Sequence, residues 1–128
     1  MPPRQAIPRI SQSELDVMDV IWSASRPIAA SDIVEALAGH KDWSDRTVKT
    51  MLSRLVNKAA LKTEADGRRY LYSPIISREA YSLKAARSLS DRLFGGRAAP
   101  LVAHLAEGDG LTDDDIAELE ALIESLKS

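Results

Sequence analysis

An Asp66-Gly67 pair separates two short runs, LKTEA and RRYLY, in the middle of the chain. Glycine adopts positive φ at little steric cost, so Asp-Gly between such runs is a strong β-hairpin signal. We therefore predict two antiparallel strands over 61–65 and 68–72, with Pro74 ending the second strand. The elements that precede this hairpin decide which fold it belongs to.

Three helices and one short strand are predicted ahead of the hairpin. The first helix has a clear start, because Ser11-Gln12-Ser13-Glu14 is a capping-box pattern placed directly before an amphipathic run. The predicted elements are a helix from Ser11 that ends before Pro27, an edge strand over 27–29, a helix ending near Gly39, a turn over 40–43, and a helix from Ser44 to about Lys58. This order, followed by a hairpin as the wing, is that of the winged helix-turn-helix fold.

The third predicted helix has one apolar face and one basic, polar face. Its apolar residues fall within an arc of roughly 140° on a helical wheel. The opposite face carries no acidic residue and collects Arg46, Thr47, Lys49, Thr50, Ser53, Arg54 and Asn57. Side chains of these types reach base edges and phosphates in the major groove of DNA. We interpret this helix as a DNA-recognition helix; the alternative is a surface helix whose solvated face is basic without function.

The predicted DNA contacts lie on this helix and at the tip of the wing. We expect Arg46, Thr47, Lys49 and Thr50 to supply most of the base-edge readout. We expect Ser53, Arg54, Arg68 and Arg69 mainly to hold phosphates, and we include the capping residue Ser44 in the interface. The alternative for the two wing arginines is a solvated turn. Tyr70 and Tyr72 share one strand face, and we expect one of them to pack in the core.

The formal net charge of −2 conceals three regions of different charge. Residues 1–40 carry −2, residues 41–97 carry +7 with 13 Lys and Arg against 6 Asp and Glu, and residues 98–128 carry −7. A polyanion would meet the positive central region, which contains the recognition helix and the wing. The overall acidity therefore does not argue against DNA as a partner.

Several classes of protein are disfavoured by what the sequence lacks. The chain has 128 residues and no cysteine, which fits one domain with a small appendage and leaves no disulfide or thiolate site. No apolar run approaches ~18 residues, so we predict a cytoplasmic protein. The two histidines are far apart, and no phosphate-binding loop or nucleophile motif occurs. We predict no metal, no cofactor and no enzymatic activity.

Three further helices are predicted after the hairpin, and we place a domain boundary between residues 75 and 76. The first begins at Ser77 and runs to about Leu93, the second covers 98–106, and the third begins at Thr112. Their apolar stripes include Leu89, Leu93, Leu101, Leu105, Ile116, Leu119, Leu122 and Ile123. These stripes form either a homodimer interface or a closed monomeric bundle. We favour the dimer, because two-fold pairing doubles the contacts on palindromic DNA.

Four segments carry a resemblance to a known family: ELDVMDVIW, WSDRTVKTMLSRLVNKAAL, GRRYLYSP, and LFGGRAAPLVAHLAE with the LTDDDIAELEALIESL that follows. From about Ile10 to Leu126 the chain resembles the penicillinase-repressor family, which includes the BlaI, MecI and copper-responsive CopY regulators. The resemblance implies a homodimeric repressor with an N-terminal winged helix and a C-terminal helical dimerisation region. It also implies palindromic operators, often with TACA/TGTA-like half-sites, upstream of β-lactamase, penicillin-binding-protein or metal-efflux genes.

Two departures from the family pattern bear on regulation. The copper-responsive branch has a cysteine cluster near its C-terminus, and this chain has no cysteine, so we do not expect copper-thiolate sensing. In the antibiotic-responsive branch, a membrane sensor-protease pathway leads to cleavage of an Asn-Phe bond in the dimerisation region. The matching dipeptide here is His104-Leu105. It is either the bond that is cut or part of a packed helix that is never cut.

The predicted fold class is mainly α with a small β-wing, a winged helix-turn-helix over 1–75 and a helical dimerisation region over 76–128. The predicted function is a homodimeric repressor of β-lactam resistance or related stress genes. Two other functions stay open, since fold does not fix function. One is a protein-interaction module that does not read DNA, which weak salt dependence of DNA binding would favour. The other is a small-molecule-sensing regulator, which a roomy pocket at the dimer joint would favour.

Overall fold

The computed structural model describes residues 7–39 and 42–128, and within these ranges it contains six helices and a three-stranded sheet. In chain order the elements are α1 (Gln12–Ala24), β1 (Ile28–Ala29), α2 (Ala30–Ala38), α3 (Asp45–Asn57), β2 (Leu61–Asp66), β3 (Arg69–Pro74), α4 (Arg78–Phe94), α5 (Ala98–Ala106) and α6 (Asp113–Lys127). The element order and the predicted fold class, mainly α with a small β-wing, are confirmed. Of the turn predicted over 40–43, His40 and Lys41 lie outside the described residues.

The capping box predicted at the start of α1 is present. The Ser11 hydroxyl accepts a hydrogen bond from the backbone N–H of Glu14 at 3.1 Å, and the Glu14 carboxylate accepts one from the backbone N–H of Ser11 at 2.9 Å. The helix ends at Ala24, and Ser25 follows in the left-handed conformation with φ of 58°. Two otherwise unpaired backbone donors are thus satisfied at the N-terminus of α1.

The sheet is antiparallel, in the order β1-β3-β2, which confirms the edge strand and the wing hairpin. The predicted position of the turn was wrong by one residue. Asp66 pairs with Arg69 as the last pair of the hairpin, so the two-residue turn is Gly67-Arg68 and not Asp66-Gly67. Gly67 has φ of +65°, which it adopts at the first turn position without steric strain. The Arg69 guanidinium holds the Asp66 carboxylate across the closing pair at 3.0 Å.

The core is formed by the inner faces of α1, α2 and α3 together with the base of the sheet. Its most deeply buried side chains are Met18, Ile21, Ile33, Leu52, Leu55, Leu61, Val17 and Val48. The apolar arc predicted for α3 is therefore its buried face. Tyr72 packs against this core, whereas Tyr70 is 60% exposed, so only one of the two tyrosines is a core residue, as predicted.

The first turns of α4 are fastened to α1. The Trp22 indole N–H donates to the Ile76 carbonyl at 3.0 Å, and the Tyr81 ring lies 6.0 Å from the Trp22 ring, centroid to centroid. The Arg78 guanidinium lies over the Trp22 ring and donates to the Ser23 hydroxyl at 3.1 Å. The first compact unit accordingly extends to Lys84, inside α4, and the second covers 85–128. The predicted boundary between residues 75 and 76 stays a prediction.

The second unit contains the end of α4 with α5 and α6. Thr112 caps α6 through a capping box with Asp115, as the acidic sequence TDDD predicts. None of the side chains in residues 85–128 is buried. Leu101 and Leu119 are half-buried, and the exposed large apolar residues are Leu89, Leu93, Leu105, Ile116, Leu122, Ile123 and Leu126. Within 7–39 and 42–128, no helix combines the length and apolar character that crossing a bilayer requires.

Candidate nucleic-acid interface

Local hydrogen bonds hold the first turns of α3. The Ser44 hydroxyl accepts a hydrogen bond from the backbone N–H of Thr47 at 3.2 Å, and the Ser44 and Thr47 hydroxyls lie 3.0 Å apart. The Thr50 hydroxyl donates to the Arg46 carbonyl at 2.9 Å. Ser44 therefore acts as the N-cap, which is a structural role in addition to the DNA contact predicted for it. The threonine side chains are held in fixed orientations on the polar face of α3.

The exposed face of α3 forms a shallow depression, which we call the basic groove. It is lined by Asp45, Arg46, Lys49, Thr50 and Ser53. The side chains of Arg46 and Lys49 are exposed, and neither forms an ion pair with another described residue. Asp45 also lines the groove, so the prediction that the polar face carries no acidic residue was wrong for the first turn of α3. It lies in the first turn of α3, where a carboxylate interacts favourably with the helix dipole.

The two predicted wing arginines have different surroundings. Both the Nε and an Nη atom of Arg69 lie 3.0 Å from the same carboxylate oxygen of Asp66, so its charge is already paired. Arg68 is exposed at the turn and makes no ion pair in the part of the chain that the structure describes. An unpaired guanidinium is the better candidate for a phosphate contact, because no internal partner has to be displaced.

A second depression, which we call the helix–wing cleft, lies between the C-terminal half of α3 and the hairpin. It is lined by Ser53, Val56 and Asn57 of α3 and by Thr63, Tyr70 and Tyr72 of the sheet. Ser53 lines both this cleft and the basic groove. Neither Asn57 nor Tyr70 was among the predicted contacts. Asn57 is on the polar face of α3, and the alternation of Tyr70 and Tyr72 along one strand face was the signal that could have identified the cleft.

The C-terminal end of α3 is anchored to α1 through Lys58. Its ammonium group donates to the Glu14 carboxylate at 2.5 Å and to the Arg9 carbonyl at 2.9 Å. The Glu14 side chain is only 3% exposed. Its burial alone would raise its pKa, but the hydrogen bonds from Lys58 and Ser11 and the charge of Lys58 outweigh burial and lower the pKa of Glu14 below its ordinary value. This pair fixes where α3 ends relative to the rest of the core.

Of the predicted helix residues, Arg46, Lys49, Thr50 and Ser53 lie around a single groove, whereas Thr47 is half-buried and does not line it. Arg54 is exposed on the same helix but does not line that groove. No group of three or more His, Cys, Asp or Glu side chains is arranged to hold a metal ion among the described residues. The contact made by each side chain with DNA stays a prediction.

Comparison with known proteins shows similarity over nearly the whole chain. Residues 10–125 match the family model described as penicillinase repressor. The penicillinase repressor of Bacillus licheniformis is 35% identical over 122 residues, covering 95% of this chain and 94% of that protein. The methicillin resistance regulatory protein MecI of Staphylococcus aureus strain N315 is 27% identical over 114 residues, covering 89% of this chain and 92% of that protein.

A solved structure with bound DNA is also similar. It is the solution structure of monomeric Bacillus licheniformis BlaI in complex with the blaP half-operator, at 41% identity and a TM-score of 0.52. The match covers 59% of this chain and 92% of that chain. At this level of identity the resemblance concerns the sequence as well as the fold.

Proposed function

Because this chain belongs to the penicillinase-repressor family, whose members are DNA-binding transcriptional repressors, we propose that it acts as a homodimer on palindromic operator DNA. We propose further that it works in the cytoplasm and controls β-lactam resistance or related stress genes; the similarity to a methicillin resistance regulator supports this role. Transcriptional repressors of this family are not enzymes, which confirms the predicted absence of catalytic function.

The observation that carries the proposed mode of DNA binding is the basic groove on the exposed face of α3. Its cations, Arg46 and Lys49, have no competing ion pair with other described residues and lie in the first half of the helix. In helix-turn-helix proteins this half of the recognition helix meets the base edges, while the wing and the flanking positions meet the backbone. We therefore assign base contacts to Arg46 and Lys49 and a phosphate contact to Arg68.

The proposed homodimer is supported by the state of the second unit. Residues 85–128 have no buried side chain, although α5 and α6 carry many large apolar residues. A monomeric soluble protein rarely leaves such a stripe open to water, because burying it against a second copy is favourable. A two-fold pair would also present two α3 helices to two half-sites of a palindrome. A closed monomeric bundle would bury these residues within one chain, so their exposure here supports the dimer.

Arg46→Ala is the direct test of base readout. On a palindromic duplex with TACA and TGTA half-sites, the variant is expected to bind about 10- to 100-fold more weakly than wild type, with less preference over a scrambled duplex. The measurement is a binding titration on both duplexes at several salt concentrations. The matched control is Arg68→Ala, which should weaken both duplexes alike and lower the salt slope by about one unit.

Two outcomes would contradict the proposal. If Arg46→Ala and Arg68→Ala both bind the palindromic duplex like wild type, the assignment of the interface is wrong. If wild-type binding shows little salt dependence, the chain does not neutralise phosphates with its cations, and a protein-interaction module becomes the better reading of the fold.

The proposed route of release from DNA is proteolysis within α5, through a membrane sensor-protease pathway. His104 and Leu105 are both exposed near the end of α5, and the His104 ring lies 6.0 Å from the Phe94 ring. Gly110 packs so closely against the Leu105 carbonyl that an added Cβ would overlap the carbonyl oxygen. The turn that follows α5 would have to open before a protease could bind the cleavage site as an extended chain. The glycines on both sides of α5 favour such local opening.

Mass spectrometry of the protein from cells exposed to a β-lactam tests this route. We expect a fragment ending at His104 to appear as the repressed genes are switched on, because cleavage there separates the winged unit from α6. Unexposed cells of the same strain are the control and should contain the full-length chain. Derepression with only full-length protein present would show that α5 is never cut and that another signal releases the DNA.

A further inference from the structure

The helix–wing cleft has the features of a second DNA contact, and this inference rests on the proposed function. We infer that the cleft holds the sugar-phosphate backbone of the bound duplex, with the Tyr70 hydroxyl and the Asn57 amide donating hydrogen bonds to phosphate oxygens. Neither side chain has a hydrogen-bond partner elsewhere in the described chain. Both are among the side-chain types that commonly contact phosphates.

The position of the cleft supports this occupant. Ser53 lines both the basic groove and the cleft, so the two depressions meet at one residue on α3. When the bases of a duplex face Arg46 and Lys49, one sugar-phosphate strand of that duplex lies beside the basic groove. The cleft lies toward the C-terminal end of α3 and is bounded on its other side by the wing. A strand of the duplex that passes between helix and wing would therefore enter it.

The exposure of Tyr70 is the second argument. Tyr72, two residues along β3, packs against the core, whereas Tyr70 remains 60% exposed although it shares that strand face. An aromatic ring with a terminal hydroxyl can cover a deoxyribose with its apolar body while the hydroxyl reaches the adjacent phosphate. A contact of this kind gives the exposed aromatic side chain of Tyr70 a role in DNA binding.

The chemistry of the cleft differs from that of the rest of the interface. Its lining residues are Ser53, Val56, Asn57, Thr63, Tyr70 and Tyr72, and none of them is a lysine, arginine, aspartate or glutamate. The salt dependence of DNA binding counts the cationic groups that neutralise phosphates. A neutral donor therefore contributes to affinity without contributing to the salt slope, which separates this contact experimentally from that of Arg68.

The test is a salt titration of Tyr70→Phe and Asn57→Ala on the palindromic duplex. Each variant is expected to bind about 3- to 10-fold more weakly than wild type with an unchanged salt slope. Tyr81→Phe removes the same atom at the joint between α1 and α4 and should bind like wild type. Duplexes carrying one neutral methylphosphonate at each backbone position in turn should include one at which Tyr70→Phe no longer differs from wild type.

The outcomes are decisive for the cleft and separate from those for the proposed function. Wild-type affinity of both variants, a Tyr70→Phe penalty that persists at every methylphosphonate position, or a reduced salt slope would each overturn the inference. In those cases the salt dependence of wild-type binding and the effects of Arg46→Ala and Arg68→Ala would still test the proposed function independently of the cleft.

Discussion

Leu122→Asp is expected to convert the proposed homodimer to a monomer and to lower the affinity for the palindromic duplex by about 10²- to 10⁴-fold. Leu122 is 54% exposed in the single chain and lies in the middle of the α6 apolar stripe. A buried carboxylate without a partner is strongly unfavourable, so a second chain could not pack over this position. The large loss of affinity follows because two linked half-site contacts become one.

Sedimentation equilibrium and a binding titration measure the two effects together. The matched control is Ala117→Asp, which adds the same charge to the opposite, exposed face of α6 and should leave both the dimer and its affinity unchanged. Fluorescence of Trp22 and Trp43 should stay native in both variants, because both residues belong to the first unit. A Leu122→Asp protein that still sediments as a dimer would show that this stripe is not the interface.

Lys58→Met is expected to lower the free energy of unfolding of the winged unit by about 2–3 kcal/mol at neutral pH. Methionine keeps most of the side-chain volume but leaves the buried Glu14 carboxylate without its cation. We expect a smaller loss of stability than for a fully buried ion pair, because the Lys58 side chain is 36% exposed. The measurement is urea unfolding followed by tryptophan fluorescence.

The pH dependence of stability is a second test of the Lys58–Glu14 pair. Since the folded-state pKa of Glu14 is lowered from 4.5, its ionised form contributes stability above that pH, and the contribution disappears as the pH falls through the folded-state pKa. The difference between wild type and Lys58→Met should therefore shrink below about pH 4.5. Lys62→Met, at an exposed position on β2, should change stability little at any pH. A Lys58→Met difference that is zero at neutral pH would rule out the pair as a support of α3.

The local elements of this fold were predictable because their signals are local. The capping serines and the apolar spacing of α3 depend only on residues within a few positions of one another, and the structure has them where predicted. The turn of the wing was misplaced by one residue because Asp66 and Gly67 both favour turns. Only the cross-strand pairing of Asp66 with Arg69, which needs a register, decides between the two positions.

The interactions between distant segments were not predictable from the sequence alone. Lys58 and Glu14 are 44 positions apart, and either could have been an ordinary surface charge. The Trp22 hydrogen bond to Ile76 spans 54 positions and joins α1 to the segment before α4, and no sequence signal indicates it. The helix–wing cleft was not predictable for the same reason. The polar face of α3 was predicted, but the cleft depends on how α3 and the hairpin pack together.

Because residues 85–128 contain no buried side chain, the stability of the proposed homodimer should depend on how many chains the cell contains. A segment that completes its core only with a second copy has a stability that depends on chain concentration. Operator occupancy would then rise faster than in proportion to the number of chains, and it would fall equally fast when chains are lost. Damage to one chain of a pair would also disable its intact partner. A signalling pathway would therefore need to inactivate only a fraction of the molecules to switch the genes on.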